Sequence, residues 1–308
     1  MPGRPRGAAR RLAIALLAGF LAPAALALDI DSAWNFRDPL ASEARFRAML
    51  AGAGRDERLE LLTQIARTHS LRRDFAAAHA LLDEVEGGLA DAGPAPRVRY
   101  LLERGRCFNS DLQPGRARPL FEQAWQAARA AGLEGLAVDA AHMVAITWRG
   151  RAEAIDWNRQ ALAQARGSDD AKARALIPAL LNNLAWDLHD QGRCEEALPL
   201  FRESLDVRRA LGRPGPIRFA EYAVGRCLRL LGRSPEAQAI QRRLEGEYAA
   251  AGETNGYVFE EIAELLAAEG RDEEARPYFR RAADELGKDP WLAKNEPQRI
   301  ERLRARGR

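Results

Sequence analysis

Residues 181–205, LNNLAWDLHDQGRCEEALPLFRESL, decide the fold of this chain. Ala185 and Ala197 are small residues twelve positions apart, Gly192 lies between them, and Phe201 follows four positions after the second alanine. Two helices approach to about 8–10 Å only where the side chains at their crossing are small. An aromatic side chain one turn further along lies on the same helix face and fills the space toward the neighbouring helix. The stretch therefore predicts two packed helices joined by a turn at Gly192.

The same twelve-residue step between small residues recurs along the chain, and glycine- and proline-rich breaks separate the units about every 40 residues. A period of this size is typical of helical repeats. The pattern resembles the tetratricopeptide repeat (TPR), particularly the long form found in kinesin light chains. The resemblance implies an all-α, right-handed superhelical solenoid of about six TPR helix-turn-helix repeats with helical caps. The matching residues in four further units are Ala66, Ala78 and Leu82; Gly105, Ala117 and Phe121; Gly225, Ala237 and Leu244; and Ala263, Ala275 and Phe279.

The third interval, residues 135–168, departs from this spacing and leaves two alignments open. In the first, His142 takes the small site opposite Ala154 and crowds the helix crossing. In the second, Ala145 takes that site and the turn around residues 148–150 is three residues shorter. The second alignment makes residues 142–145 parallel to Asn-Asn-Leu-Ala of the next unit.

The repeats and their caps account for the whole chain after the N-terminal segment. We expect an N-terminal helical cap at residues 28–58, in which Ser42 caps a short helix presenting Phe46, and a C-terminal capping helix or tail at 290–308. No residues remain for a catalytic domain. The six predicted repeats cover about 59–93, 98–132, 135–168, 178–212, 218–252 and 256–289.

Residues 1–27 have the pattern of a secretory signal peptide: four arginines without an acid, an apolar run over residues 12–22, and the small-residue exit Ala25-Leu26-Ala27. The apolar run is short for a membrane span, which needs about 20 residues. We therefore predict a periplasmic or secreted protein, with an inner-membrane anchor formed by an uncleaved signal as the alternative. Removing the segment leaves 43 basic and 44 acidic residues, so the mature chain lacks the positive charge typical of nucleic-acid binders.

The sequence contains few motifs typical of catalysis or of metal and cofactor binding. The four histidines have no metal-ligand spacing, and no phosphate-binding glycine loop is present, so we expect no metal, no cofactor and no enzymatic activity. Cys107, Cys194 and Cys227 are interpreted as small core residues, while a disulfide between Cys194 and Cys227 in adjacent repeats stays open.

The resemblance to TPR proteins implies that the first helix of each repeat lines a concave groove. Asparagine there can donate to and accept from an extended backbone, arginine can bind carboxylates bidentately, and aromatic side chains offer rigid contact area. The opposing interpretation is that Trp186 and Phe219 simply pack against neighbouring repeats. Arg99, Phe219 and Glu260 also fall at groove positions. The predicted peptide-binding residues are Arg106, Asn109, Asn182, Trp186, His189, Tyr222, Arg226, Arg229 and Tyr257.

These features favour a protein–protein interaction scaffold or adaptor of the bacterial envelope, which holds an extended segment of an unidentified protein partner in the groove. The alternative is a structural or self-assembling envelope component that uses its convex face or its ends. Neither hypothesis involves nucleic acid, or a membrane beyond the signal peptide.

Overall fold

A computed structural model describes residues 29–308, and the predicted signal peptide lies outside this range. The described part of the chain is all-α and contains sixteen α-helices and no strand. Their bounds are α1 Pro39–Met49, α2 Arg55–Leu71, α3 Phe75–Gly88, α4 Pro94–Ser110, α5 Pro114–Ala130, α6 Glu134–Thr147, α7 Ala152–Arg166, α8 Ala171–Ala175, α9 Ile177–Asp190, α10 Cys194–Ala210, α11 Pro214–Leu230, α12 Ser234–Ala250, α13 Gly256–Ala268, α14 Asp272–Leu286, α15 Pro290–Asn295 and α16 Pro297–Arg306.

The helices form a superhelical stack of six helix pairs, as expected for a TPR solenoid. The pairs are α2–α3, α4–α5, α6–α7, α9–α10, α11–α12 and α13–α14, and each packs against the next pair along the chain. We call the first member of each pair helix A and the second helix B. Helix A of the fourth pair is preceded by the short helix α8.

Small residues at the A–B crossings are buried, as the sequence pattern predicts. Ala185 and Ala197 are fully buried, and Phe201 packs beside them. The second repeat has Gly105 at the crossing, where an added Cβ would lie only 2.5 Å from the Phe121 ring. In the fifth repeat the position equivalent to Phe201 is Gln241, which is fully buried, so an aromatic residue does not fill every repeat.

The A–B turns of five repeats, all but the shortened third, share one hydrogen-bonding pattern. Gly192 has φ +74°, and the following amide bonds back to the carbonyl of Leu188, which ends helix A in the left-handed region that glycine adopts readily. The second repeat has Leu112 at the equivalent position with φ 61°, and this side chain is 83% exposed.

The third repeat follows the second of the two alignments. Ala145 is buried at 1% exposure, whereas His142 is only partly buried and its ring contacts Asn183 on the next helix A. Helix α6 ends at Thr147, which shortens the third repeat at the turn and brings Ala154 opposite Ala145.

Both ends of the stack carry further helices. Asp38, rather than the predicted Ser42, caps α1, and the Ser42 hydroxyl is buried and donates to the Asn35 carbonyl. Phe46 of α1 is fully buried against the first repeat. Helix α2 begins at Arg55, so the predicted boundary between cap and first repeat falls inside this helix. At the other end, α16 packs on α14.

The three cysteines are buried and unbonded, which confirms their interpretation as core residues. The Cys227 thiol donates to the Cys194 carbonyl at 3.3 Å, and burial raises the pKa of Cys227 to about 12. Within residues 29–308, no helix combines the length and apolar character needed to cross a bilayer.

Candidate functional site

The A helices together form one continuous surface, which we call the A-helix face, and α16 extends it at the C-terminal end. Each A helix contributes polar side chains that contact those of the next A helix, because equivalent positions of successive repeats lie side by side in a solenoid. The contacts that follow this face are Glu60–Arg99, Arg106–Asp139, His142–Asn183, His189–Arg226, Arg226–Glu261 and Glu260–Arg299.

The predicted arginines already bind carboxylates of this chain. Arg106 donates to Glu103 at 2.6 Å and to Asp139 at 2.5 Å. Burial alone would lower the pKa of Arg106, but these two carboxylates raise it above the ordinary value. Arg226 and Arg229 both donate to Glu261, which is fully buried. The chain itself therefore supplies carboxylate partners to these arginines, with one carboxylate shared between Arg226 and Arg229. The sequence reasoning missed these contacts because the acids lie on other helices or outside the groove positions.

His189 and Tyr222 are interior residues rather than open binding positions, since each is only 7% exposed. Arg226 donates to the His189 ring at 3.2 Å and to the Tyr222 hydroxyl at 3.1 Å. Burial raises the pKa of Tyr222 above its usual value, so the phenol stays neutral. His189 and Tyr222 thus fix the position of the Arg226 guanidinium group.

Asn109 and Tyr257 lie toward opposite ends of the A-helix face, and both are partly buried. The guanidinium carbon of Arg299, on α16, lies 5.1 Å from the centre of the Tyr257 ring. The C-terminal helix therefore flanks Tyr257, and the nine predicted residues do not converge on one pocket.

Asn182 and Trp186 do line an open cleft of about 270 Å³ between repeats three and five, which we call the central cleft. The centre of the Trp186 ring lies 5.1 Å from that of Phe201, which it meets edge-on, and 6.2 Å from that of Phe219. Trp186 therefore does pack against neighbouring helices, as the opposing interpretation holds. Phe219 nevertheless remains 43% exposed. The cleft is further lined by Ala145, Ile146, Arg149, Asn158, Asn183, Asp187 and Asp190.

Not every polar atom in the central cleft has a hydrogen-bond partner. Asn158 donates to Asp187 at 2.7 Å, while the Asn158 side-chain oxygen is buried without a partner. Burial raises the pKa of Asp187 above its ordinary value, against the lowering effect of the Asn158 hydrogen bond. A cleft with amides, a desolvated carboxylate and an exposed aromatic ring can bind an extended backbone together with an apolar side chain.

A second and larger cavity, of about 680 Å³, lies at the N-terminal end of the A-helix face. The sequence pattern did not predict it. Helices α2, α4 and α6 form its floor, and the segment before α1 covers one side with Trp34 and Phe36. We call it the N-terminal cavity. No motif marked it in advance, because a segment distant in sequence encloses it.

No three His, Cys, Asp or Glu side chains in the described range converge in a way that could hold a metal ion.

Comparison with known proteins agrees with this architecture. Residues 176–245 match the family profile of the tetratricopeptide repeat. No curated protein matches the sequence. Three solved structures share the fold at low sequence identity, and their likeness concerns the fold alone. They are the kinesin light chain TPR-like repeats of Podosopora anserina (17% identity, 64% of this chain and 98% of that chain, TM-score 0.52), apo RapI (14%, 89% and 85%, TM-score 0.64) and NprR in complex with its cognate peptide NprX (16%, 87% and 77%, TM-score 0.50).

Residues 29–308 thus have the all-α fold of a tetratricopeptide-repeat solenoid, and residues 176–245 match the repeat family itself. This architecture is generally used for protein interaction, and it does not by itself name a partner or a pathway.

Proposed function

We propose that this protein is a non-catalytic interaction scaffold that binds an extended segment of a partner protein along its A-helix face, with the central cleft as the main contact. The observation that carries the proposal is the central cleft, where Asn182 and Asn183 lie beside Trp186 and the exposed Phe219. The fold supports this use, because NprR, a solved structure with a similar fold, is in complex with its cognate peptide NprX.

The partner segment is recognised through its backbone and one apolar side chain. Amide side chains donate to and accept from a peptide backbone, and a large aromatic surface provides a rigid anchor. A strongly acidic segment is disfavoured, because two carboxylates, Asp187 and Asp190, and only one guanidinium, Arg149, line the central cleft. Asp187 and Asp190 instead favour a neutral or basic residue beside the anchor.

The proposal places the scaffold in the bacterial envelope, and it rests here on the sequence pattern of residues 1–27. Fusion of alkaline phosphatase to the C-terminus tests this location. Enzymatic activity of the fusion supports export, and an inactive fusion at normal expression contradicts it.

Site-specific photo-crosslinking tests the central cleft. A photoreactive amino acid replaces Phe219 in cells that express the protein, and mass spectrometry identifies the crosslinked segment. The control carries the same amino acid at Leu112, which is 83% exposed at the A–B turn of repeat two and distant from the cleft.

The crosslinked segment is then synthesised and its affinity is measured by fluorescence anisotropy. We expect Phe219→Ser to weaken binding at least tenfold, which corresponds to about 1.4 kcal/mol. Leu112→Ser should leave the affinity unchanged. Equal affinities of wild type and Phe219→Ser would reject the central cleft as the contact surface.

A further inference from the structure

The A–B turns of successive repeats lie side by side along one edge of the solenoid, which we call the A–B edge. In repeats four, five and six, the residue after the left-handed glycine is an arginine, and it donates to a glutamate three residues further on. The A–B edge of the later repeats therefore carries paired charges at this position. The three pairs, at 2.7–2.8 Å, are Arg193–Glu196, Arg233–Glu236 and Arg271–Glu274.

Repeat two reverses the charge at this position. Arg116 stands where the later repeats have glutamate, and Gln113 stands where they have arginine. Arg116 Nη1 donates to the Gln113 side-chain oxygen at 2.8 Å, and its guanidinium carbon lies 3.9 Å from the centre of the Phe108 ring. Because the glutamine amide is neutral, it binds one N–H group of Arg116 without balancing the positive charge.

Two further arginines lie around the ring of Trp148, at the A–B turn of repeat three. The guanidinium carbon of Arg118 lies 3.2 Å from the ring centre and that of Arg151 lies 5.8 Å from it. Arg118 also donates to the hydroxyl and the carbonyl of Thr147, at 3.1 and 3.0 Å. Within residues 29–308, aromatic rings rather than carboxylates thus contact these guanidinium groups. The rings and Thr147 hold them in place, so less conformational entropy is lost when an anion binds.

Acidic side chains are interspersed along the same part of the edge. Asp74 caps α3, Asp111 accepts from the Gln113 side chain, and Glu153 is exposed in the first turn of α7. A continuous anionic surface, such as a membrane, would bring its negative charge against these acids as well. A protein segment can instead place its carboxylates opposite the arginines alone. The mixture of charges therefore favours a protein partner.

An exposed leucine lies beside the arginines in a strained backbone conformation. Leu112 is 83% exposed and has φ 61°, in the left-handed region that residues other than glycine rarely adopt. Repeats four to six have glycine there, and repeat one has Arg73, also with a positive φ, which adds a further positive charge to the edge. Strain of this kind is typical of functional sites. Folding alone favours glycine at position 112, so the leucine side chain indicates a contact with a partner.

We propose that the A–B edge of repeats two and three binds an acidic segment of a partner protein that also carries an apolar side chain. Carboxylates of the segment accept from the free N–H groups of Arg116, Arg118 and Arg151, which form strong charge-assisted hydrogen bonds. The apolar side chain packs on Leu112. This surface is separate from the central cleft, which disfavours acidic segments, so the two surfaces select different segments. A photoreactive probe at Leu112 therefore remains a control for the segment bound in the cleft.

Fluorescence anisotropy of a labelled peptide of repeated Glu-Glu-Leu units, titrated with the purified protein, tests the proposal. The measurement is made at about 20 mM salt, where exposed charges are weakly screened. We expect this peptide to bind, and the same peptide with lysine in place of glutamate to bind at least tenfold more weakly. Absence of binding of the acidic peptide would overturn the proposal, and so would equal affinity of the two peptides.

Two double variants assign the binding to this part of the edge. Arg116→Glu combined with Arg151→Glu should weaken binding of the acidic peptide at least tenfold. Arg202→Glu combined with Arg276→Glu is the matched control, because it changes the net charge equally at exposed positions of α10 and α14. The control should bind the peptide like wild type. Equal losses in the two double variants would show a response to net charge alone and would refute the site.

Leu112→Gly separates binding from folding. Relief of the backbone strain should raise the urea midpoint of unfolding, while loss of the side chain should weaken peptide binding at least threefold. A more stable variant with unchanged affinity would overturn the role of Leu112. Co-sedimentation with phosphatidylglycerol vesicles examines a membrane as the occupant. Vesicle binding that is lost in the Arg116→Glu, Arg151→Glu variant, without binding of the acidic peptide, would overturn the proposal in favour of a membrane surface.

Discussion

Gly105→Ala is the sharpest test of how closely the helices of a repeat approach. A Cβ at this position would lie 2.5, 2.8 and 2.9 Å from three ring carbons of Phe121. Carbon atoms in contact are ordinarily about 3.5–4.0 Å apart, so the ring or the helices must move by about 1 Å. Phe121 is fully buried in a cluster with Val98 and Leu102, which leaves the ring little room.

The expected magnitude follows from two opposing effects. Inserting a methyl group into a packed core is destabilising by about 1–3 kcal/mol, and the short distances place this site near the upper end. Alanine in a helix is favoured over glycine by about 1 kcal/mol. The net loss in the free energy of unfolding is therefore about 2 kcal/mol. Gly246→Ala is the matched control, because Gly246 lies exposed within α12 with no neighbour near its absent Cβ, and it should stabilise by about 1 kcal/mol.

Urea unfolding followed by circular dichroism at 222 nm measures both variants. A second variant, Phe121→Leu in the Gly105→Ala background, should recover part of the loss, because the smaller side chain relieves the clash. A Gly105→Ala protein at least as stable as wild type would refute the reasoning. It would mean that α4 and α5 can separate to the spacing of repeat four, where Ala185 and Phe201 occupy the same two positions.

Three further predictions concern buried polar groups. Gln241→Met should stabilise by about 1 kcal/mol in urea unfolding, because the buried Oε1 of Gln241 has no partner; a loss of stability would contradict this. Glu261→Ala should destabilise by about 3 kcal/mol, since it removes the fully buried carboxylate shared by the partly buried Arg226 and Arg229, whereas Glu196→Ala, which breaks exposed ion pairs, should change stability by less than about 1 kcal/mol; similar losses would disprove the distinction. Burial lowers the pKa of His142, with smaller contributions from Arg106 and Arg149 and against the opposing effect of Asp139, so the unfolded chain takes up this proton first as pH falls. Stability should therefore decrease below about pH 6.5, and His142→Gln should flatten the stability curve between pH 7 and 5; parallel curves for the two proteins would count against it.

Local sequence determined the helix pairs and the turns between them. Ala185, Ala197 and Gly192 act within one repeat, where helix geometry converts spacing directly into contact. The alignment of the third repeat could not be settled by sequence spacing, because an ungapped alignment and one with a three-residue deletion at the turn were both open. Packing decided between them, since Ala145 fits the crossing and His142 does not.

The charge state of the A-helix face could not be derived from the sequence. A groove position identifies Arg226 as facing inward, but its partner Glu261 lies 35 residues away, and only the stacking of repeats brings the two together. The sequence therefore indicated arginines available for a partner's carboxylates, whereas in the folded chain these arginines contact carboxylates of the chain itself.

The sequence by itself determined that this protein is a stack of paired helices, because small residues at fixed intervals act through local geometry. Tertiary structure alone decided which inward-facing groups remain unpaired and where the open space lies. The central cleft depends on the register between neighbouring repeats, and the N-terminal cavity depends on the segment of Trp34 and Phe36 lying against Arg67. Contacts between distant segments follow from the superhelical path of the whole chain, and no short spacing in the sequence encodes that path.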